Sequence, residues 1–196
     1  MDATPVKDTK KMLRGAALAR RDALDPLWRE AVSLKLAGVA DALAILPGTV
    51  VSAFLPIRSE IDLRPLMAAL SQKDVRLCLP AVVDRSTIDF REYLPGQELV
   101  DTGFGTSGPG DDAAVLDPAV MLMPLAAFDA RGERIGYGAG YYDRAIARLQ
   151  AAKMMPRLIG VAFDCQQVAY VPAEPHDVPL GEILSESGLR QFPLSL

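Results

Sequence analysis

Four short apolar runs, at residues 51–56, 75–83, 119–123 and 157–164, alternate along the chain with segments of helical periodicity. Runs of this length, bounded by turn residues, are typical of buried strands. Strands that are joined by helical connections run parallel, and their sheet is covered by helices on both faces. The sequence therefore predicts an α/β protein with three layers and a mostly parallel sheet.

Helical segments are predicted at Thr9–Leu24, from Pro26 to about Leu46, at Leu63–Ser71 and at Tyr141–Ala152. Asp25 is a suitable N-cap because Pro26 then occupies the first helical position. The weak alternation at 88–93 favours an edge strand, and the glycine- and proline-rich stretch 95–112 is predicted to be a long loop. A length of 196 residues is consistent with a single domain over 1–196.

Composition restricts the possible partners of the chain. A net charge of −4 argues against nucleic-acid binding, which usually requires a basic excess. The longest apolar stretch is too short to span a membrane, and the first residues lack the hydrophobic core of a secretory signal. Cys78 and Cys165 both lie in apolar runs, which favours buried thiols in a reducing compartment. We therefore expect a cytoplasmic protein.

His176 is the one histidine of the sequence. Serine–histidine catalysis would have to use it, and the cysteines and histidine lack the spacing of a zinc site. A bound metal would therefore be a hard cation held by carboxylates, and we expect Mg²⁺ before Zn²⁺.

The segment 119–144 carries the strongest functional signal. Its apolar run leads through a polar turn to Gly136, Gly138 and Gly140, and a helical pattern follows. Glycines allow positive φ and close approach to a ligand, and a helix N-terminus offers free N–H groups to an anion. A phosphate-bearing ligand is one interpretation. The alternative is a glycine-rich turn that binds nothing.

Several charged residues allow two interpretations each. Lys10 and Arg14 lie four positions apart on one helical face, where they form either a triphosphate clamp or a solvated basic surface. Glu60 and Asp143 would either bind a ligand or favour a helix N-terminus electrostatically. Asp177 is either a metal ligand or an Asx-turn residue.

Arg134 and the tyrosines near the glycines are equally ambiguous. Arg134 would either neutralise phosphate charge or lie on the surface, and Tyr137, Tyr141 and Tyr142 would either stack on flat rings or pack half-buried. Ligands of parallel sheets collect beyond the carboxyl ends of the strands. We therefore expect Glu60, Phe104, Asp177 and the segment 136–143 to converge on one rim of the sheet.

Four motifs taken together resemble the 5-formyltetrahydrofolate cyclo-ligase family. They are Lys10-x-x-x-Arg14, FLPIRSEID (54–62), MPLAAFDARGERIGYGAGYYDR (123–144) and VPAEPHDVPLGEIL (171–184). The resemblance implies a sheet of the kind found in sugar-phosphate isomerases and coenzyme A transferases. It also implies ATP-dependent conversion of 5-formyltetrahydrofolate to 5,10-methenyltetrahydrofolate, ADP and phosphate.

The resemblance also assigns residues to ligands. ATP would contact Lys10, Lys11, Met12, Leu13, Arg14, Arg134, Ile135, Gly136, Tyr137, Gly138, Ala139, Gly140, Tyr141 and Tyr142. The folate would contact Leu55, Glu60, Tyr137, Gly138, Ala139, Gly140 and Tyr141. Asp143 and Asp177 would hold Mg²⁺, and Lys10, Arg134 and Tyr141 would be catalytic.

The sequence departs from the family pattern at two places. Gly181 replaces an acidic residue that is common in the tail motif, and FGTSGP (104–109) lacks the acidic residue before its proline, which affects Phe104 as a folate contact. Two other functions compete with the cyclo-ligase. One is a sugar-phosphate isomerase or coenzyme A transferase, and the other is a non-catalytic protein that binds nucleotide or folate. We expect a monomer, with a dimer as the alternative.

Overall fold

The computed structural model describes residues 5–103, 106–174 and 177–192. Its helices are α1 (Val6–Asp22), α2 (Pro26–Leu36), α3 (Arg64–Ser71) and α4 (Tyr141–Ala151). Its strands are β1 (Val50–Ser52), β2 (Arg76–Val82), β3 (Ile88–Tyr93), β4 (Val100–Gly103), β5 (Thr106–Gly108), β6 (Val120–Pro124), β7 (Ala127–Phe128), β8 (Arg134–Ile135), β9 (Arg157–Val161), β10 (Glu182–Ser185) and β11 (Gly188–Gln191).

Seven of these strands form one sheet in the order β11-β10-β9-β6-β1-β2-β3. The five central strands run parallel to one another, whereas β3 and β11 pair antiparallel with them at the two edges. The predicted mostly parallel sheet and the edge strand at 88–93 are therefore confirmed.

The sheet is buried on both faces, as the continuous apolar runs of its strands require. Leu122 of β6 lies in one core cluster with Leu66 of α3, while its neighbour Met121 lies in a second cluster with Ile146 of α4. Successive strand side chains point to opposite faces, so the two clusters lie on opposite sides of the sheet. This arrangement confirms the three-layer α/β fold.

The second helix is shorter than predicted. Asp25 caps it as expected, because its Oδ1 accepts a hydrogen bond from Trp28 N at 2.9 Å. The α-helix ends at Leu36, and a 3-10 turn follows at Ala37–Val39. Ala40 and Leu43 are still buried. The apolar pattern in the sequence thus extends beyond the helix, because Ala40 and Leu43 reach the core from a turn and not from a helix.

The prediction of a long loop at 95–112 was wrong in part. Strands β4 and β5 pair antiparallel within it and form a two-stranded sheet separate from the main one. Both strands are short and contain glycine, and for that reason the sequence shows no alternation of apolar and polar residues there.

A second small hairpin, β7–β8, lies between β6 and the glycine segment. Asp129 in its turn is fully buried and accepts hydrogen bonds from the backbone N–H groups of Arg131 and Val171. Gly132 in the same turn has φ +80°, and a Cβ there would lie 2.1 Å from Leu180 O. Only glycine fits at this position, and the turn ties the hairpin to the chain segment that follows Asp177.

Within the described ranges, no helix is long and apolar enough to cross a membrane.

Candidate functional site

One cavity of about 650 Å³ lies where β1, β2 and β6 lead into their loops. Residues from several chain segments line it, including α1, the connection after β1, the glycine segment and the chain before β10. The lining consists of Lys10, Arg14, Arg21, Phe54, Leu55, Ile57, Arg58, Glu60, Leu79, Pro80, Val82, Ile88, Thr106, Ser107, Met123, Pro124, Arg134, Ile135, Gly136, Tyr137, Gly138, Ala139, Gly140, Tyr141, Tyr142, Asp143, Glu174 and Asp177.

The structure brings together most of the residues that the sequence singled out. The exceptions are three residues between Lys10 and Arg14, which do not belong to the cavity lining. Lys11 and Met12 are exposed, and Leu13 packs against a small core cluster around Ala17. Successive helical residues point in different directions, so a helix can offer Lys10 and Arg14 to a cavity without the residues between them. Phe104 and His176 lie outside the described residues.

Helix α1 presents one face to the cavity. Lys10, Arg14 and Arg21 follow a spacing of four and seven residues, which places them on one stripe together with the buried Ala17. Ala17 packs against Ala127 and Val171 and so fixes the helix to the β7–β8 hairpin. The helix therefore extends along the cavity for about 16 Å from Lys10 to Arg21.

Lys10 pairs with two carboxylates from the chain before β10. Its Nζ lies 2.5 Å from Asp177 Oδ2 and 3.0 Å from Glu174 Oε2. Partial burial opposes the charged amine, but the hydrogen bonds to both carboxylates prevail and raise the pKa of Lys10. Lys10 is therefore a cation at neutral pH, and its partners are the acids that a polyanionic ligand would displace.

Arg134 forms a second ion pair in the cavity. Its Nη2 lies 2.5 Å from Asp143 Oδ1, and its Nη1 donates to Val178 O. The guanidinium is almost fully buried, whereas a third of the Asp143 side chain is exposed. The bond to Val178 O thus holds the arginine in place, and the Asp143 carboxylate faces the cavity.

The glycine segment leads into α4 as the sequence predicts. Gly138 and Gly140 have φ values of +100° and +68°, and Gly140 is the N-cap residue of α4. Gly136 was expected to share this conformation, but it is not among the residues with positive φ. Its carbonyl oxygen instead accepts a hydrogen bond from Arg14 Nε at 2.8 Å. The basic face of α1 is therefore bound directly to the glycine segment.

Glu60 lies in a separate, buried part of the cavity. Tyr137 donates its hydroxyl hydrogen to Glu60 Oε1, and Ile57 N donates to Glu60 Oε2 at 2.8 Å. Burial raises the pKa of Glu60, while the hydrogen bonds from Tyr137 and Ile57 and the charge of Arg21 oppose the rise. Burial, and the neighbouring Glu60, also raise the pKa of Tyr137. This part of the cavity therefore offers a carboxylate in a largely dry environment.

The other two tyrosines differ from Tyr137. The Tyr141 hydroxyl donates to Asp84 O at 3.3 Å, and the Arg144 guanidinium lies 5.3 Å from the centre of its ring. Tyr142 has a buried hydroxyl that finds no hydrogen-bond partner among the described residues. Tyr137 is thus the tyrosine that contacts Glu60.

Several polar residues in or beside the cavity had no role assigned from the sequence. Arg21 donates to the predicted site residue Tyr137, and Glu174 accepts from the predicted site residue Lys10. Ser59 lies one step further away and accepts a hydrogen bond from Arg21. Arg21 could have been found, since it continues the helical stripe of Lys10, Arg14 and Ala17. No sequence signal marks Ser59 or Glu174, because their roles depend on which segments meet in space.

The fold and the cavity define an α/β protein whose candidate ligand site lies beyond the carboxyl ends of parallel strands. A model of the 5-formyltetrahydrofolate cyclo-ligase family matches residues 6–186. The chain therefore belongs to the 5-formyltetrahydrofolate cyclo-ligase family.

Individual relatives and solved structures agree with this membership. The 5-formyltetrahydrofolate cyclo-ligase of Escherichia coli K12 is 33% identical over 148 residues, which are 72% of this chain and 80% of that protein. The enzyme of that name from Mycolicibacterium smegmatis is 31% identical over 186 residues, 90% of this chain and 93% of that protein. The structure of Aquifex aeolicus 5,10-methenyltetrahydrofolate synthetase has a TM-score of 0.76 at 27% identity and covers 95% of both chains.

A second solved structure shows the same fold. The 5,10-methenyltetrahydrofolate synthetase of Mycoplasma pneumoniae has a TM-score of 0.70 at 24% identity, covering 89% of this chain and 96% of that one.

Proposed function

We propose that the protein is an enzyme that uses ATP to convert 5-formyltetrahydrofolate to 5,10-methenyltetrahydrofolate, ADP and phosphate. Membership of the cyclo-ligase family indicates the overall reaction. The observation that supports it on this chain is the composition of this cavity, which combines a cationic, glycine-rich part with a buried carboxylate. We call the first part, with Lys10, Arg14, Arg134, Asp143 and Asp177, the nucleotide end. The second part, with Arg21, Leu55, Glu60 and Tyr137, is the folate end.

The nucleotide end suits a triphosphate. Three cations, Lys10, Arg14 and Arg134, face one cavity, and the N-terminus of α4 follows directly after Gly140. Cations and free N–H groups both stabilise phosphate charge, and they do so best where water is partly excluded. Lys10 and Arg134 would bind the phosphates and would balance the charge that develops during phosphoryl transfer.

The folate end suits a flat heterocycle that carries N–H donors. Glu60 already binds one donor on each oxygen, and each carboxylate oxygen has a further lone pair for a ligand. Leu55 and the rings of Tyr137 and Tyr141 supply apolar surface nearby. A pterin would therefore bind with its N–H groups toward Glu60.

The chemistry follows from the poor leaving ability of a formyl oxygen. The formyl oxygen attacks the γ-phosphorus and ADP leaves, which makes that oxygen part of a phosphate leaving group. N10 then forms a bond to the formyl carbon, the carbon–oxygen bond breaks, phosphate departs and the N10 proton is lost. Positioning and charge stabilisation account for most of the catalysis in such transfers. A cavity that holds both ligands is therefore the main requirement.

The carboxylates of the nucleotide end fit a magnesium ion. Asp143, Asp177 and Glu174 all line the cavity and offer hard oxygen ligands, which Mg²⁺ prefers. No group of three metal-binding residues is preformed in the described part of the chain. Mg²⁺ commonly binds through one or two carboxylates plus phosphate oxygens, so Asp143 and Asp177 would hold it together with ATP. Bound there, the ion would neutralise phosphate charge.

Other properties of the protein are part of the same proposal. The continuous seven-stranded sheet, built from residues 50–191, supports a single domain. Cys78 and Cys165 are both unpaired, which supports a reducing compartment such as the cytoplasm. The monomeric state stays a prediction, with a dimer as its alternative.

A coupled assay tests the proposal. Purified protein with ATP, MgCl₂ and 5-formyltetrahydrofolate is expected to release ADP in step with the rise of methenyl-folate absorbance. Addition of EDTA is expected to stop both. The assignment fails if ADP release does not depend on the folate.

The same assay separates this function from a non-catalytic binding protein. Such a protein would show a thermal shift with ATP and 5-formyltetrahydrofolate but no turnover. The presence of Lys10, Arg134 and Asp143 in one cavity favours catalysis.

A further inference from the structure

Arg21 is a buried arginine at the end of α1. Only 2% of its surface is exposed, although an arginine can never lose its charge. A buried charge is costly unless it is paired and hydrogen-bonded. Arg21 is therefore held by specific contacts, and these contacts indicate its role.

Two nitrogen atoms of the Arg21 guanidinium donate to two different loops. Its Nε donates to Ser59 Oγ at 2.9 Å, and its Nη1 donates to Tyr137 Oη at 2.6 Å. Ser59 belongs to the connection between β1 and α3, and Tyr137 belongs to the glycine segment. Arg21 thus joins three chain segments on the floor of the folate end.

The contact with Tyr137 has a direction. A guanidinium only donates, so the Tyr137 oxygen must accept from it. The hydroxyl hydrogen of Tyr137 is then free to donate elsewhere, and it goes to Glu60 Oε1. Arg21 therefore fixes both the position of Tyr137 and the polarity of its hydrogen bond to Glu60.

Arg21 also acts on Glu60 through its charge. Its Nη1 lies 3.8 Å from Glu60 Oε1. Arg21, the Tyr137 hydroxyl and the backbone N–H of Ile57 act on Glu60, and the buried Tyr142 hydroxyl also lies within range of its charge. Arg21 is the one cation among these four groups, and it favours the ionised carboxylate against the effect of burial.

We propose that Arg21 is a positioning residue for the folate end, which holds Tyr137 in place and keeps Glu60 a charged acceptor for the N–H donors of the substrate heterocycle. This inference rests on the proposed function. Arg21 does not contact the reacting atoms in this role; it acts through Glu60 and Tyr137.

The test is equilibrium binding of 5-formyltetrahydrofolate without nucleotide, measured by calorimetry on the wild type and on Arg21→Met. Loss of Arg21 is expected to weaken folate binding about 10-fold or more, since a buried hydrogen-bond partner is removed. The KM for ATP is expected to change by less than about twofold, because Lys10 and Arg14 are unaffected.

Arg20→Met is the matched control. Arg20 is the preceding arginine of the same helix, but its Nε donates to Cys165 O at 2.6 Å, away from the cavity. Folate binding of this variant is expected to equal that of the wild type. Equal losses in the two variants would indicate a general effect of the helix end and would overturn the inference.

A pH profile separates positioning from a merely structural role. Without Arg21 the pKa of Glu60 rises further, so the folate affinity of Arg21→Met should begin to fall at a higher pH than that of the wild type as the pH is lowered. The double variant Arg21→Met, Glu60→Gln has no carboxylate to titrate and should lose this pH dependence. Arg21→Lys keeps the charge and should restore the wild-type profile with part of the affinity.

The outcomes distinguish the inference from the proposed function. A wild type without folate-dependent ADP release refutes the function. An active wild type whose Arg21→Met variant keeps its folate affinity and pH profile refutes only the role of Arg21. If thermal unfolding shows that Arg21→Met does not fold, Arg21→Lys and Tyr137→Phe decide the matter. Both should then weaken folate binding, and two variants with wild-type affinity would overturn the inference.

Discussion

The two ends of the cavity are built on opposite principles. At the nucleotide end, Lys10 pairs with Asp177 and Arg134 pairs with Asp143 at 2.5 Å each, and the acids are partly exposed. At the folate end, Glu60 is buried and is held by hydrogen bonds from Tyr137 and Ile57. One end thus consists of ion pairs that open to the cavity, and the other is a fixed buried network.

This difference indicates how each end would bind its ligand. The acids of these ion pairs are more exposed than Glu60, whereas Lys10 and Arg134 are largely buried. A ligand with several negative charges can replace the acid partners of Lys10 and Arg134, because its own charges then pair with both cations and leave neither buried charge unpaired. Released acids are then available to a metal ion. A buried network cannot be exchanged in this way, because an unpaired buried group costs considerably more. The folate end must therefore be preorganised, whereas the nucleotide end can change partners.

The largest expected effect concerns the acid of the nucleotide end. Asp143→Asn should lower kcat about 100-fold or more, because a neutral amide neither binds Mg²⁺ well nor balances Arg134. The fold should stay intact by circular dichroism. Steady-state turnover at saturating ATP and folate measures the effect.

Asp89→Asn is the control for this variant. Asp89 pairs with Arg148 at 2.9 Å and has a similar side-chain exposure of 29% against 32% for Asp143, but it does not line the cavity. Its turnover should equal that of the wild type. Wild-type turnover in Asp143→Asn would falsify the metal role and would break the distinction between the two ends.

A smaller effect is expected for the lysine of the same end. Lys10→Ala should raise the KM for ATP about 10-fold, since it removes a charge-assisted contact to phosphate. Folate binding without nucleotide should change by less than about twofold if the two ends are independent.

Lys11→Ala provides the matched comparison for Lys10. The resemblance to the family placed both lysines at ATP, whereas the structure leaves Lys11 exposed outside the cavity lining. Its KM for ATP should stay at the wild-type value. An effect of Lys10→Ala that is confined to folate affinity would contradict the assignment of the two ends.

Tyr137 and Tyr141 are expected to differ in their effect on folate binding. Tyr137→Phe should weaken folate binding about 5-fold, because it removes the hydroxyl that donates to Glu60. The Tyr141 hydroxyl donates to Asp84 O at 3.3 Å and not to Glu60, so Tyr141→Phe, which keeps the ring, should leave the folate affinity nearly unchanged. Calorimetric titration of both variants with 5-formyltetrahydrofolate is the measurement, and a larger loss in Tyr141→Phe would reverse the roles assigned to them.

The smallest effect is on stability and concerns the sign of a pH dependence. Burial raises the pKa of Glu60 above its ordinary value of 4.5. A carboxyl with a raised folded pKa stabilises the fold at low pH, and this contribution is lost as the pH rises through the folded pKa. The free energy of unfolding of the wild type should therefore fall relative to that of Glu60→Gln as the pH increases above 4.5.

Denaturant unfolding of both proteins across this pH range measures the difference. Glu98→Gln serves as the control, since Glu98 is exposed. The free energies of unfolding of the wild type and of Glu98→Gln should differ by the same amount at every pH. A wild type that gains stability relative to Glu60→Gln over the same range would show that the folded state does not raise the pKa of Glu60.

Much of the fold followed from local patterns in the sequence. The apolar runs predicted β2, β6 and β9 within two or three residues, because strands that are buried on both faces contain almost no polar residues. The apolar patterns gave wrong element boundaries or missed strands where the buried residues did not have the spacing of a regular helix or strand. Ala40 and Leu43 continued the periodicity of α2 from within a turn, and the glycine-rich strands β4 and β5 showed no alternation.

The candidate site was predictable where a motif carried it. Lys10, Arg14, Glu60, the glycine segment and Asp177 all line one cavity, and the sequence had singled out each of them. Arg21 and Glu174 were not assigned, since their partners lie 38 or more positions away along the chain. Lys11 and Met12 were included by their position in the motif, but the helical rotation turns them outward.

The sequence by itself determined the chemistry of this protein: a basic helix, a glycine segment that enters a helix, and a few separate carboxylates. Only the tertiary structure decided which of these charges pair with one another and which are buried. Pairing depends on contacts between segments that are distant in the sequence, and burial depends on how all layers pack around the sheet. For that reason Lys10 is bound to Asp177 and Glu60 to Tyr137, and these pairings give the cavity its two different ends.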